Sequence, residues 1–107
     1  MPKVEFLYLD DCPSHERALA LLREVMTEEQ IQAPVEIVEV KTEAEAEQYK
    51  FYGSPTIRID GGDIAPLPED STQPSLTCRA YRRADGRISP LPPRELIVAA
   101  LRRASTV

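Results

Sequence analysis

The chain has no surplus of basic residues, no long apolar run and few cysteines, and each shortfall excludes a class of protein. Lysine and arginine number 13 against 18 aspartates and glutamates, a formal net charge of −5 at pH 7. A general binder of nucleic acid or of an anionic membrane needs a basic surface to displace counterions, so neither is an expected partner. Small neutral or cationic partners stay open. No apolar run approaches the ~20 residues that cross a bilayer. The N-terminus lacks a charged-then-apolar pattern ending in a small-residue cleavage site, and a cytoplasmic location is the expectation. In that compartment two cysteines are reduced, and are catalytic, metal-binding or buried rather than a structural staple. There is no internal repeat, and no low-complexity run beyond the acidic segment 43–47.

What is present fits one domain. With 107 residues, 42% hydrophobic and 29% charged, the chain can bury a modest core of its own without disulfide support. Wholesale disorder does not fit that composition.

Hydrophobic periodicity divides the chain into strands and helices. Lys3 to Leu9 is short, β-branched and aromatic-rich, a first strand, and Ala18, Leu19, Leu22, Val25 and Met26 then recur at helical spacing. Gln32-Ala33-Pro34 breaks that pattern before a second strand, 35–40. Strand, helix and strand of this length read as a right-handed parallel crossover. Thr42 and Glu45 match a capping box that opens a second helix. Its apolar face is Ala46 and Tyr49, and Gly53 is the residue suited to end it in the left-handed conformation.

A third strand carries Ile57 and Ile59 on one face, with Pro55 at its first residue and Asp60-Gly61-Gly62 as the turn that follows. Pro66, Pro68 and Pro74 make 63–75 a long loop, of the kind that lies over a site. Leu76 to Arg82 alternates as a fourth strand, with Leu76, Cys78 and Ala80 inward and Arg79 and Tyr81 on the other face. Residues 84–87 form a turn, and Pro92-Pro93 leads into a last helix with Leu96, Ile97, Ala100, Leu101 and Ala104 as its apolar stripe. The expected fold is α/β: a four-stranded mixed sheet ordered second-first-third-fourth, with helices on both faces.

The chemistry falls on Asp10-Asp11-Cys12-Pro13-Ser14-His15, the junction of the first strand with the first helix. The first amides of a helix lack partners and carry the positive end of its dipole, which stabilises a thiolate. Pro13 suits the first helical position and puts Cys12 at or near the N-cap. His15, the single histidine, is about one turn on from Cys12. As imidazolium it favours the thiolate further, while Asp10 and Asp11 oppose a second anion. Arg79, Arg82, Arg83 and Arg87 read first as a solvated face, with an anionic ligand as the alternative.

This order of elements, with a cysteine at a helix start and Ser-Pro before a strand, resembles the thioredoxin-like superfamily across nearly the whole chain. Cys12-Pro13-Ser14-His15 stands where that family has Cys-x-x-Cys or Cys-x-x-Ser, and Ser54-Pro55 is similar to its cis-proline dipeptide. The resemblance implies that Cys12 is the nucleophile of a thiol-disulfide oxidoreductase. It also implies that Pro13, Ser14, Ser54 and Pro55 line the substrate groove. His15 replaces the second cysteine, so the redox routes are an external thiol such as glutathione or resolution by Cys78. No cofactor is implied. The partner is a thiol or disulfide substrate or a small-molecule thiol, and the oligomeric state is not set by the sequence.

Cys12 with an inward Cys78 also resembles the two-cysteine arrangement of alkylmercury lyases, with His15 where that family has a proton-donating Asp. Two thiolates suit a soft metal. Cys78 thus has three readings: resolving thiol, metal partner or packed core thiol. In either shared-site reading its sulfur is expected within about 10 Å of that of Cys12, close enough for modest motion to join them. A thioredoxin-shaped module without catalysis is the third functional class.

Overall fold

A computed structural model of the chain describes residues 3–10, 14–65, 81–82, 86–89 and 91–105. In chain order the elements are β1 (Val4–Tyr8), α1 (His15–Glu28), β2 (Val35–Glu39), α2 (Glu43–Tyr49), β3 (Thr56–Ile59), β4 (Gly62–Asp63), β5 (Tyr81–Arg82), β6 (Ile88–Ser89) and α3 (Arg94–Ser105). The fold is α/β, with a four-stranded mixed sheet ordered β2-β1-β3-β4. β1 pairs with β2 in parallel and with β3 antiparallel, and β3 pairs antiparallel with β4. The order is the expected one.

The segment in the fourth place is not the expected 76–82. Asp60 (φ 55°) and Gly61 (φ 83°) both take positive φ, the pattern of a two-residue hairpin turn whose twist matches that of the strands it joins. The chain therefore doubles straight back, and Gly62 pairs with Ile59. Asp60 also fastens this turn to the start of β1, its carboxylate accepting from Lys3 N at 2.8 Å and its own N–H donating to Lys3 O at 2.8 Å. Of the expected fourth strand, Tyr81 and Arg82 pair with β6 in a separate two-stranded sheet. Residues 76–80, the loop 66–75 and residues 84–85 of the expected turn lie outside the described residues.

Alternation along β1 sends neighbouring side chains to opposite faces, and both faces are covered. Val4 and Phe6 join Ile57 and Ile59 against Ala18, Leu22, Val25 and Met26 of α1 and Ile97, Ala100 and Leu101 of α3. Leu7 points the other way, into a second cluster with Val40, Ala46 and Phe51 under α2. Phe6 and Leu7, adjacent in sequence, are both fully buried, as a strand covered on both faces allows.

The helix ends depart from expectation in physically simple ways. α1 begins at His15 with Ser14 as its N-cap, two residues later than a start at Pro13. The Ser14 carbonyl accepts from Ala18 N at 3.0 Å, and its side chain makes no cap bond. α2 opens with the Thr42 hydroxyl accepting from Glu45 N at 3.1 Å, while the Glu45 carboxylate reaches back to Lys41 N at 3.3 Å. It closes at Lys50 (φ 52°) rather than at Gly53, with Phe51 N donating to Ala46 O and Lys50 N to Glu47 O. This is a Schellman ending, whose residue after the left-handed one packs back on the helix. Burial of Phe51 in the second cluster sets the stop. Arg58 of β3 then donates to the carbonyls of Tyr49 and Lys50, a cation on the negative helix end.

On the opposite face α1 and α3 are joined by ion pairs: Arg94 with Glu24 and Glu28, and Arg102 with Glu29. Arg102 reaches both carboxylate oxygens of Glu29, at 2.7 and 3.3 Å, and that hydrogen bonding holds the Glu29 carboxyl below its ordinary value. Among the described residues no helix is long and apolar enough to cross a membrane.

Two measurements check this packing. Ile57→Ala, in the fully buried centre, is expected to cost ~2–5 kcal/mol in urea unfolding. Ile37→Thr on the edge strand, where the side chain is 44% exposed, should stay within about 0.5 kcal/mol of wild type. Because the folded value of Glu29 is depressed, its contribution is present above the unfolded value and lost as pH falls through the folded one. The stability difference between wild type and Glu29→Gln should therefore be constant above about pH 5 and shrink toward zero in acid, read from urea midpoints across pH.

Candidate functional site

β1 delivers the chain to the carboxyl end of the sheet, the end at which open α/β sheets bind ligands. Leu9 and Asp10 follow β1, and the chain is next described at Ser14 and His15, which open α1. Cys12, Pro13 and Cys78 lie outside the described residues, as does the expected proximity of the two sulfurs. The site is therefore built from the residues on either side of the Cys12 segment and from the corner opposite them.

That corner is Gly53-Ser54-Pro55-Thr56. The Ser54-Pro55 bond, expected cis, is cis. β3 begins directly after it, with Thr56 paired to Leu7 of β1, so the corner stands beside the carboxyl end of β1. The link is direct: Leu9 N donates to Ser54 Oγ at 3.0 Å. Inside the corner the Thr56 hydroxyl donates to Gly53 O at 2.5 Å, and Gly53 holds φ at 147°, a value that favours glycine. Ser54, Pro55 and Thr56 are all buried.

A third fastening comes from β5. The Tyr81 hydroxyl donates to Pro55 O at 2.6 Å, and Tyr81 is 2% exposed within the main core. This corrects the expected outward orientation of Tyr81. With an acceptor at the phenol tip, the whole aromatic body can be buried at no polar cost, a gain that strand alternation does not register. Among the described residues every buried side-chain polar atom has a hydrogen-bond partner.

On the α1 side of the sheet end, His15 and Ser14 are half-buried. The His15 ring stacks on that of Tyr8, with centroids 4.6 Å apart and planes at 26°. Phe6 lies behind Tyr8, ring centroids 6.1 Å apart. Glu39, paired with Tyr8 across the parallel ladder, accepts a long hydrogen bond from the phenol at 3.4 Å and sits 3.9 Å from Lys41 Nζ. Burial pushes the Tyr8 phenol above the ordinary tyrosine value, and the charges of Glu39 and Asp10 push it the same way.

Ser14 and His15 at one side, and Ser54 and Pro55 at the other, thus meet the same end of β1. Tyr8, Glu39 and Tyr81 belong to this region although no motif marks them. Tyr8 had a signal, since alternation puts it on the Val4 and Phe6 face from which α1 departs. Glu39 depends on the parallel register and Tyr81 on tertiary packing. Chemically the region offers an imidazole, a neutral phenol, a carboxylate and the amides that open a helix. Among the described residues no cluster of His, Cys, Asp or Glu has the makings of a metal site.

Ionising Tyr8 would place a second anion beside Glu39, so the protonated phenol is favoured to higher pH than in an ordinary tyrosine. Titrating phenolate absorbance at 295 nm for wild type and Tyr8→Phe should show the missing component above about pH 10. A component at or below that value would contradict the burial of the phenol beside Glu39. No protein-family model matches this chain, and no curated protein matches it in sequence.

Proposed function

We propose that the chain is a thioredoxin-like thiol-disulfide oxidoreductase with Cys12 as its nucleophile. The observation that carries this reading is the hydrogen bond from Leu9 N to Ser54 Oγ. It ties the chain entering the Cys12 stretch to the Ser54-Pro55 corner, the two features on which the family resemblance rests. The sheet order and the start of α1 at Ser14 and His15 support it as well.

In the proposed reaction the Cys12 thiolate attacks one sulfur of a substrate disulfide. A Cys12-substrate disulfide forms, the substrate S–S bond breaks, and the other half leaves as a thiolate that takes a proton. In this reading His15, the first residue of α1, donates it. An external thiolate, of the glutathione class, then attacks the mixed disulfide. It releases the Cys12 thiolate and leaves as a disulfide with the substrate, so electrons balance with no further oxidant. Pro13, Ser14, Ser54 and Pro55 form the groove wall in this reading. Cys78 is not required, though it is the chain's own candidate for the second attack.

The test is reaction with a small disulfide and glutathione, with the modified residue identified by mass spectrometry. Cys12 should carry the mixed disulfide, and Cys12→Ser should abolish turnover. Cys12 should also alkylate faster than Cys78 at pH 7, since the amides at a helix start favour a thiolate. Equal alkylation rates in the folded protein, or full turnover in Cys12→Ser, would sink the reading. Retained turnover in Cys78→Ala marks the external-thiol route, and its loss marks Cys78 as the resolving residue.

A further inference from the structure

Disulfide exchange does not by itself require the stack of His15 on Tyr8. We propose that Tyr8 is a positioning residue, a fixed aromatic platform that holds the His15 ring in one orientation at the start of α1. The inference rests on the reading of His15 as the proton-handling partner of Cys12.

Three features make Tyr8 a platform. It ends the strand that is paired on both sides, with its carbonyl accepting from Val40 N at 2.8 Å. Its ring has Phe6 on the core side, 6.1 Å away. Its phenol tip is engaged by Glu39, itself beside Lys41. His15, by contrast, is the first residue of its helix and has no preceding helical turn to restrict its side-chain torsions. A ring 4.6 Å above another at 26° is within the range of attractive aromatic pairs.

The stack also has a place in the chain that gives it leverage. Tyr8 precedes Cys12 by four residues and His15 follows it by three. Their contact therefore joins the two ends of the segment carrying the proposed nucleophile. An aromatic pair of this kind shifts a rotamer population by about two- to tenfold. The rate of any step that needs the imidazole in that one orientation changes by the same factor.

The experiment uses the full chain and four variants, Tyr8→Phe, Tyr8→Leu, His15→Ala and the Tyr8→Leu/His15→Ala double variant, with two readouts. The first is the pair of His15 ring-proton NMR shifts, unambiguous because the chain has a single histidine. They should be displaced by the Tyr8 ring current in wild type and Tyr8→Phe, and return to unfolded-chain values in Tyr8→Leu. The second is the Cys12 alkylation rate at pH 7. Tyr8→Leu should fall about two- to tenfold toward the His15→Ala rate. Tyr8→Phe should stay within about twofold of wild type, and the Tyr8→Leu/His15→Ala double variant should be no slower than His15→Ala. If Tyr8→Leu does not fold, Tyr8→Met is read in the same way. Undisplaced His15 shifts in wild type overturn the proposal without any variant. A slow His15→Ala beside a wild-type Tyr8→Leu overturns it and leaves the thiol chemistry standing. A wild-type rate in His15→Ala removes His15 from that chemistry, and the positioning role of Tyr8 with it.

Discussion

β1 is paired on both edges and packed on both faces, and the rest of the structure follows from that position. Its carbonyl and amide groups are shared between β2 and β3, while Phe6 and Leu7, adjacent in sequence, are buried in different clusters. A strand used on four sides cannot slip its register by one residue without exchanging the two cores. The direction in which its last residues leave the sheet is therefore fixed, and with it the place where the segment 9–15 begins and ends.

The two clusters divide the work between them. The larger fixes α1 and α3 against one face, with Arg94 bridging to Glu28 of α1 and Arg102 to Glu29 just beyond its end, at the solvent side. Exposed pairs of this kind contribute little to stability, and the apolar stripe sets the geometry. The smaller cluster stops α2 at Lys50, where Arg58 receives the helix end, and so determines how the chain turns toward Ser54. Positioning of the Ser54-Pro55 corner is thus a product of burying Phe51 and, among the described residues, of fastenings from Leu9, Thr56 and Tyr81.

The edges are less constrained. β2 carries Ile37 in the open, between Glu36 and Glu39 on a strand with no described partner on its outer side. Charged side chains on an outer strand discourage further pairing. The same strand supplies Glu39 to Tyr8, so one residue guards the edge and touches the region around His15.

By itself the sequence determined the elements whose physics is local. The period of Ala18, Leu22, Val25 and Met26, the β-branched run 35–40, the Thr42 cap and the crossover they imply were all legible, because each depends on neighbours within a turn or two. The order of the first three strands followed, since a short parallel crossover leaves few alternatives. Asp60-Gly61 was readable as a turn, yet its consequence, a hairpin that gives the fourth place to Gly62 and Asp63, depended on both residues taking positive φ together. What only the tertiary structure decided were contacts between residues far apart in the chain. Lys50 rather than Gly53 ends α2 because Phe51 finds a core to enter, and Tyr81 turns inward because the carbonyl of Pro55 meets its hydroxyl. Glu39 reaches Tyr8 through the ladder register, and His15 lies on Tyr8 because β1 and α1 meet at one end of the sheet. No periodicity encodes those meetings, since their free energy exists only once the sheet has brought the partners together.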